Sequence, residues 1–154
     1  MTRRNLMLLA AGGSLALLTG AYIFQSLGYA PCKLCLYQRW PHATAVVIGG
    51  LVLATGPFLV WGVLGLLSAL ATAGLGVYHS GVEFGWWEGP STCTGGGTSL
   101  DALSGDQLLS IDVPVDIVMC DEVAWALAGI SMAGWNAIFS LLLAALWFKA
   151  LKSI

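Results

Sequence analysis

Three stretches of the chain contain no Asp, Glu, Lys or Arg: Asn5 to Cys32, Trp40 to Val82 and Val123 to Phe148. A hydrocarbon layer about 30 Å thick is crossed by roughly 20 helical residues rising about 1.5 Å each. The first and third stretches therefore hold one span apiece and the middle stretch holds two. Its dividing point is Thr55-Gly56-Pro57, where Pro cannot continue the preceding helix without losing a backbone hydrogen bond. With 58% hydrophobic and 9% charged residues the composition lies outside the soluble range. Transmembrane β-barrels alternate apolar and polar residues, and these runs are continuous. The sequence thus predicts an all-α integral membrane protein, a single membrane domain over residues 1–154. Its four-helix transmembrane bundle has spans at about Leu6 to Leu27, Gln38 to Ala54, Phe58 to Tyr78 and Val123 to Trp147.

Charge sets the expected orientation. Four of the six basic residues, Arg3, Arg4, Lys149 and Lys152, are terminal, which predicts both ends in the cytoplasm. All eight acidic residues fall between spans three and four: Glu83, Glu88, Asp101, Asp106, Asp112, Asp116, Asp121 and Glu122. Loops at about 28–37 and 79–122 are then extracytoplasmic. The start Arg3-Arg4 followed by apolar residues is read as a span, because the run exceeds the central region of a cleaved leader.

On this topology Cys32, Cys35, Cys93 and Cys120 share one oxidising side, which points to disulfides. Three connectivities are possible. Cys32-Lys33-Leu34-Cys35 is a C-x-x-C pair, which favours local pairing and leaves Cys93 with Cys120. Two structural bridges are the plainer interpretation, but so short a ring contributes little loop-closure entropy and such motifs are typically redox-active. A zinc site of four thiolates needs a second tight pair, which Cys93 and Cys120 do not form in sequence.

Pro41 is expected in the first turn of span two, where a missing donor is tolerated, so that helix is expected to begin near Gln38. Cys35 would then sit just ahead of a helix N-terminus, whose partial positive charge favours a thiolate. Arg39 follows four positions on, and Arg39 and Lys33 are the basic residues outside the chain ends; a cation so placed is expected to hold an anion. The sequence shows no dinucleotide fingerprint and no C-x-x-C-H haem motif, which leaves a lipid-soluble quinone as acceptor for thiol electrons. Arg39 would stabilise its reduced form and His79, at the end of span three, would donate or relay a proton. Trp40, Trp86, Trp87 and Trp125 are read as an interfacial belt before they are read as a quinone pocket. In the long loop, glycines directly after Thr94 leave the backbone unrestricted, so a Cys93–Cys120 bridge is expected to be exposed and exchangeable. Leu100, Leu103, Leu108 and Ile111 suggest a short amphipathic surface helix there.

These features resemble one family. The run Pro31-Cys32-Lys33-Leu34-Cys35-Leu36-Tyr37-Gln38-Arg39, His79 before a long second loop with its cysteine pair, and Met119-Cys120-Asp121-Glu122 leading to Gly129-Ile130-Ser131-Met132-Ala133-Gly134-Trp135 are together similar to the DsbB disulfide bond formation proteins. The resemblance implies a bacterial inner-membrane thiol:quinone oxidoreductase that reoxidises a periplasmic DsbA-like thioredoxin-fold oxidase. It further implies that Cys93 and Cys120 form the bridge attacked by the partner, with Cys93 taking the mixed disulfide. Cys32 and Cys35 would restore that bridge, Cys35 facing ubiquinone or menaquinone, Arg39 binding it and His79 nearby. Two other interpretations compete: a vitamin K epoxide reductase-like enzyme, in which the C-x-x-C normally lies late in the chain, and a non-catalytic protein with structural or metal-binding cysteines. A transporter is disfavoured because no span carries an ionisable residue at its centre.

Overall fold

The computed structural model describes residues 1–93 and 118–153. The amphipathic helix expected near Leu100 to Ile111 lies outside the described residues. Those described form four long helices and one small hairpin: α1 (Arg3–Ser26), α2 (Lys33–Thr55), α3 (Leu59–Glu83), β1 (Ala126–Leu127), β2 (Ile130–Ser131) and α4 (Met132–Lys152). Helices α1, α3 and α4 are each long and apolar enough to cross a membrane. Helix α2 matches them in length but carries Lys33, Gln38, Arg39 and His42 in its first half.

Each helix packs against its neighbours in sequence, and α1 closes the ring against α4. Helix α1 buries Leu6, Met7, Ala10, Ala11 and Ser14, a stripe at the three- and four-residue spacing of one helical face. Lipid provides no hydrophobic drive to bring helices together, so close packing of small residues must do it. Along the contact of α3 with α4, Gly76 lies so near that a Cβ there would stand 3.0 Å from the Ala133 carbonyl oxygen and the Ala137 nitrogen. Further down, Gly65 makes room for the fully buried ring of Trp147. Leu6, Met7, Ile48, Val52 and Leu143 join that ring in the larger core cluster. The outward faces remain apolar, as with Leu15, Val47, Leu67 and Leu142, which suits a lipid surround.

Arg3 Nε donates to the carbonyl oxygens of Ala150 at 3.3 Å and Ser153 at 2.9 Å. The start of α1 and the end of α4 therefore lie at the same end of the bundle, as an even number of spans demands. The cysteines lie at the other.

Two element boundaries differ from the expectation. Helix α2 begins at Lys33 rather than near Gln38, and Pro41 sits inside it. A proline removes one hydrogen bond, the one its own nitrogen would have given to Tyr37, and Tyr37 is 46% exposed, so the helix runs through. Helix α4 begins at Met132 rather than Val123. The intervening apolar residues fold into the hairpin, whose two-residue turn Ala128-Gly129 has φ of 53° and 78°. Both values are positive, the requirement of a type I′ turn, and glycine meets it without cost. Ser131 then caps α4 by accepting from the Gly134 N–H at 3.2 Å.

Candidate active site

Cys32, not Cys35, occupies the N-cap of α2. Its sulfur accepts the Cys35 backbone N–H at 3.3 Å, the role a serine oxygen ordinarily plays, and it meets the unpaired donors of the first turn. The thiolate-favouring position predicted for Cys35 thus belongs to Cys32, because the helix starts earlier than Pro41 suggested. Cys35 lies in the first turn, and the two sulfurs are free thiols 3.1 Å apart. His79 Nε2 approaches Cys32 Sγ at 3.5 Å. The S–H of Cys35 donated to Cys32, with support from His79 and against the opposing effect of burial, holds the Cys32 thiol well below its ordinary range. Cys32 is expected to stay reactive as the pH falls. Its alkylation by iodoacetamide should lose less than about twofold between pH 8 and pH 6, where an ordinary thiol loses roughly tenfold per unit. A tenfold loss per unit at Cys32 would show that no such anion is held.

Cys93 and Cys120 are joined by a disulfide. The Cys120 N–H also donates to the Cys93 carbonyl oxygen. Contrary to the expected exposed bridge, both residues are buried, at 3% and 0% relative exposure, in one cluster with Cys32, Leu34 and Val82. The two cysteine pairs therefore pack against each other. Lys33 reaches out at the surface and donates to Thr92 Oγ1, next to Cys93, at 3.1 Å.

A cavity of about 400 Å³ opens beside the dithiol, between the four helices and the two connecting loops. Cys32, Cys35, Arg39 and His79 all border it, so the residues singled out from sequence converge on one space. Arg39 donates to Gln25 Oε1 at 2.6 Å and to the Ala21 carbonyl oxygen at 3.4 Å, and lies 4.8 Å from the centre of the Tyr22 ring. Its charge is thereby fixed against α1 at the cavity wall. Most of the lining is apolar. Trp125, expected at the membrane surface, is part of it and meets Phe24 edge-on. Trp40 and Trp86 are strongly exposed, as belt residues should be.

Sequence reasoning missed the polar chain behind the cavity. Gln38 Nε2 stands 2.8 Å from His79 Nδ1, Asn136 Nδ2 donates to Gln38 Oε1 at 2.6 Å, and His42 Nε2 lies 2.9 Å from Asn136 Oδ1. Thr72 Oγ1 donates to the Gln38 carbonyl oxygen at 3.2 Å. At the end of α3, Glu83 lies 3.9 Å from His79 Nε2 and accepts a hydrogen bond from Ser131 Oγ. Cys35, Gln38 and His42 follow the helical i, i+3, i+7 spacing, and Asn136 interrupts an apolar run. Those were the available signals.

A dithiol and a disulfide in contact, at one end of a helical bundle and beside an apolar cavity, define a membrane thiol–disulfide redox protein. The chain belongs to the DsbB family: the family model for disulfide bond formation protein DsbB matches residues 3–150. It is 30% identical over 152 residues to disulfide bond formation protein B of Acidovorax sp. (strain JS42), covering 94% of this chain and 84% of the relative. It is 32% identical over 155 residues to the protein of that name from Xanthomonas oryzae pv. oryzae (strain MAFF 311018), covering 94% and 88%. Disulfide bond formation protein B 2 of Pseudomonas aeruginosa PAO1 matches at 30% over 137 residues, covering 82% and 77%. No solved structure matches the chain. Family membership supports a disulfide-forming oxidoreductase and argues against the vitamin K epoxide reductase-like alternative.

Proposed function

We propose that the chain is a thiol:quinone oxidoreductase of the bacterial inner membrane. Its cysteine loops face the periplasm and both termini the cytoplasm, where Arg3, Arg4, Lys149 and Lys152 satisfy the positive-inside tendency. A DsbA-like dithiol oxidase reduces the Cys93–Cys120 bridge by thiol–disulfide exchange, Cys93 taking the mixed disulfide, and Cys32 and Cys35 reoxidise that bridge. The resulting Cys32–Cys35 dithiol passes two electrons to ubiquinone or menaquinone in the cavity as the S–S bond forms. Cys35 gives up its thiol proton, the second proton of the hydroquinone comes from solvent in place of the one Cys32 released on becoming a thiolate, and the His79 Nε2–H steadies that thiolate.

The observation that carries this reading is the convergence of a reduced dithiol, His79 and Arg39 on one largely apolar cavity. An isoprenoid quinone suits such a space: apolar walls for ring and tail, and the Arg39 guanidinium for the head. Purified protein is expected to retain extractable quinone, and adding a reduced DsbA-like dithiol should convert the quinone absorbance to that of hydroquinone. Protein that holds no quinone and reduces none when it is added would overturn the proposal.

A further inference from the structure

Among the described residues, five buried side-chain polar atoms have no hydrogen-bond partner, on Ser14, His42, Ser80, Ser140 and Trp147. Of these residues His42 alone borders the cavity. Its ring is 4% exposed, and the unpaired atom is Nδ1.

Which partner Nδ1 can take follows from the direction of the polar chain. Gln38 Nε2 also donates to the Leu34 carbonyl oxygen at 3.4 Å, and Asn136 Nδ2 also donates to the Thr72 carbonyl oxygen at 3.5 Å. A carbonyl oxygen only accepts, so both amides are fixed the same way round. Gln38 therefore donates to His79 Nδ1, and His79 carries its proton on Nε2, facing Cys32. At the other end, Asn136 Oδ1 accepts, so His42 carries its proton on Nε2. Thr72 Oγ1, 3.2 Å from that nitrogen, has given its own hydrogen to Gln38 and can accept a share of the same proton. His42 Nδ1 is left as a bare lone pair in a buried, largely apolar place, a costly condition unless a donor meets it.

We propose that His42 Nδ1 accepts a hydrogen bond from a hydroxyl of the cavity's ligand, so that the site holds a hydroquinone more tightly than the matching quinone. This rests on the quinone reading given above. His42 lies on the same face of α2 as Cys35 and about 4.5 Å beyond Arg39 along the helix axis. One ring oxygen can then lie towards Cys35 and Arg39 and the para oxygen towards His42. A quinone carbonyl has no hydrogen to offer and would set lone pair against lone pair. A hydroquinone hydroxyl completes the chain.

The test compares parent and His42→Leu proteins with a decyl-benzoquinone and its hydroquinone. Reduced protein is paired with hydroquinone and oxidised protein with quinone, so that no electrons move. His42→Leu is expected to weaken hydroquinone binding roughly tenfold and quinone binding less than twofold, and His42→Gln, which can still present an acceptor, to recover part of the loss. Equal losses for both ligands, or none for either, overturn the assignment of His42 while leaving quinone binding intact. If the parent binds neither ligand, the quinone reading falls with it. Nitrogen NMR of ¹⁵N-histidine-labelled parent protein gives an answer that needs no variant. Nδ1 of His42 should resonate as an unprotonated ring nitrogen and shift when hydroquinone is added, and a protonated Nδ1 in the ligand-free protein overturns the proposal.

Discussion

Replacing Cys35 with serine is expected to slow quinone reduction by roughly a thousandfold or more while the Cys93–Cys120 bridge still forms. Two electrons leave the dithiol only as a sulfur–sulfur bond closes, and serine cannot close one. The S–H that Cys35 donates to Cys32, the largest influence holding the Cys32 thiol low, is replaced by an O–H that can donate in its place. The substitution thus carries two linked readouts. Quinone reduction followed by absorbance should collapse, whereas alkylation of Cys32 near pH 6 should persist, because the serine hydroxyl still donates to its sulfur. A Cys35→Ser protein that reduced quinone at the parental rate would show that the electrons leave by another route.

The second large effect is expected at Gln38. Changing it to leucine removes the donor to His79 Nδ1 and the acceptor for Asn136 Nδ2 at once, within a side-chain cluster where Gln38 itself is 6% exposed. Each stranded polar group costs about 1–3 kcal/mol, so a total loss of about 2–6 kcal/mol is expected, read as a lower unfolding temperature in detergent. His79 also loses the partner that fixes its tautomer, so its Nε2 can turn a lone pair towards the Cys32 anion, and Cys32 alkylation at pH 6 should slow. Gln38→Glu gives a useful contrast. It still accepts from Asn136, and an ionised carboxylate at His79 Nδ1 favours a ring protonated on both nitrogens whose Nε2–H still faces Cys32, so Cys32 should keep its reactivity at pH 6 with a smaller loss of stability. Unchanged unfolding and unchanged alkylation in the leucine variant would leave the chain without the importance given to it here.

The cysteines, Arg39 and His79 were legible because each is a chemically marked residue at a short, informative spacing or at the end of an apolar run. The chain of amides was not, since Gln38 and Asn136 lie 98 positions apart and their meeting depends on α2 and α4 facing each other across the bundle. Hydropathy placed all four helices but misjudged two beginnings. Pro41 was given more power to stop a helix than one missing donor carries, and the apolar residues before Met132 hid a hairpin whose marks were Ala128-Gly129 and the capping Ser131. Burial of the Cys93–Cys120 bridge was equally hidden, because its covering, Cys32 with Leu34 and Val82, comes from two other parts of the chain.

The hold of Arg3 on the carbonyls of Ala150 and Ser153 bears on how the molecule comes into being. Of the four described helices, the first made packs early against the second, where Ala11 faces Gly49, but finds its closing neighbour only in the last made. So distant a latch is the slowest kind of contact to make, and once fastened it commits every turn between its two halves.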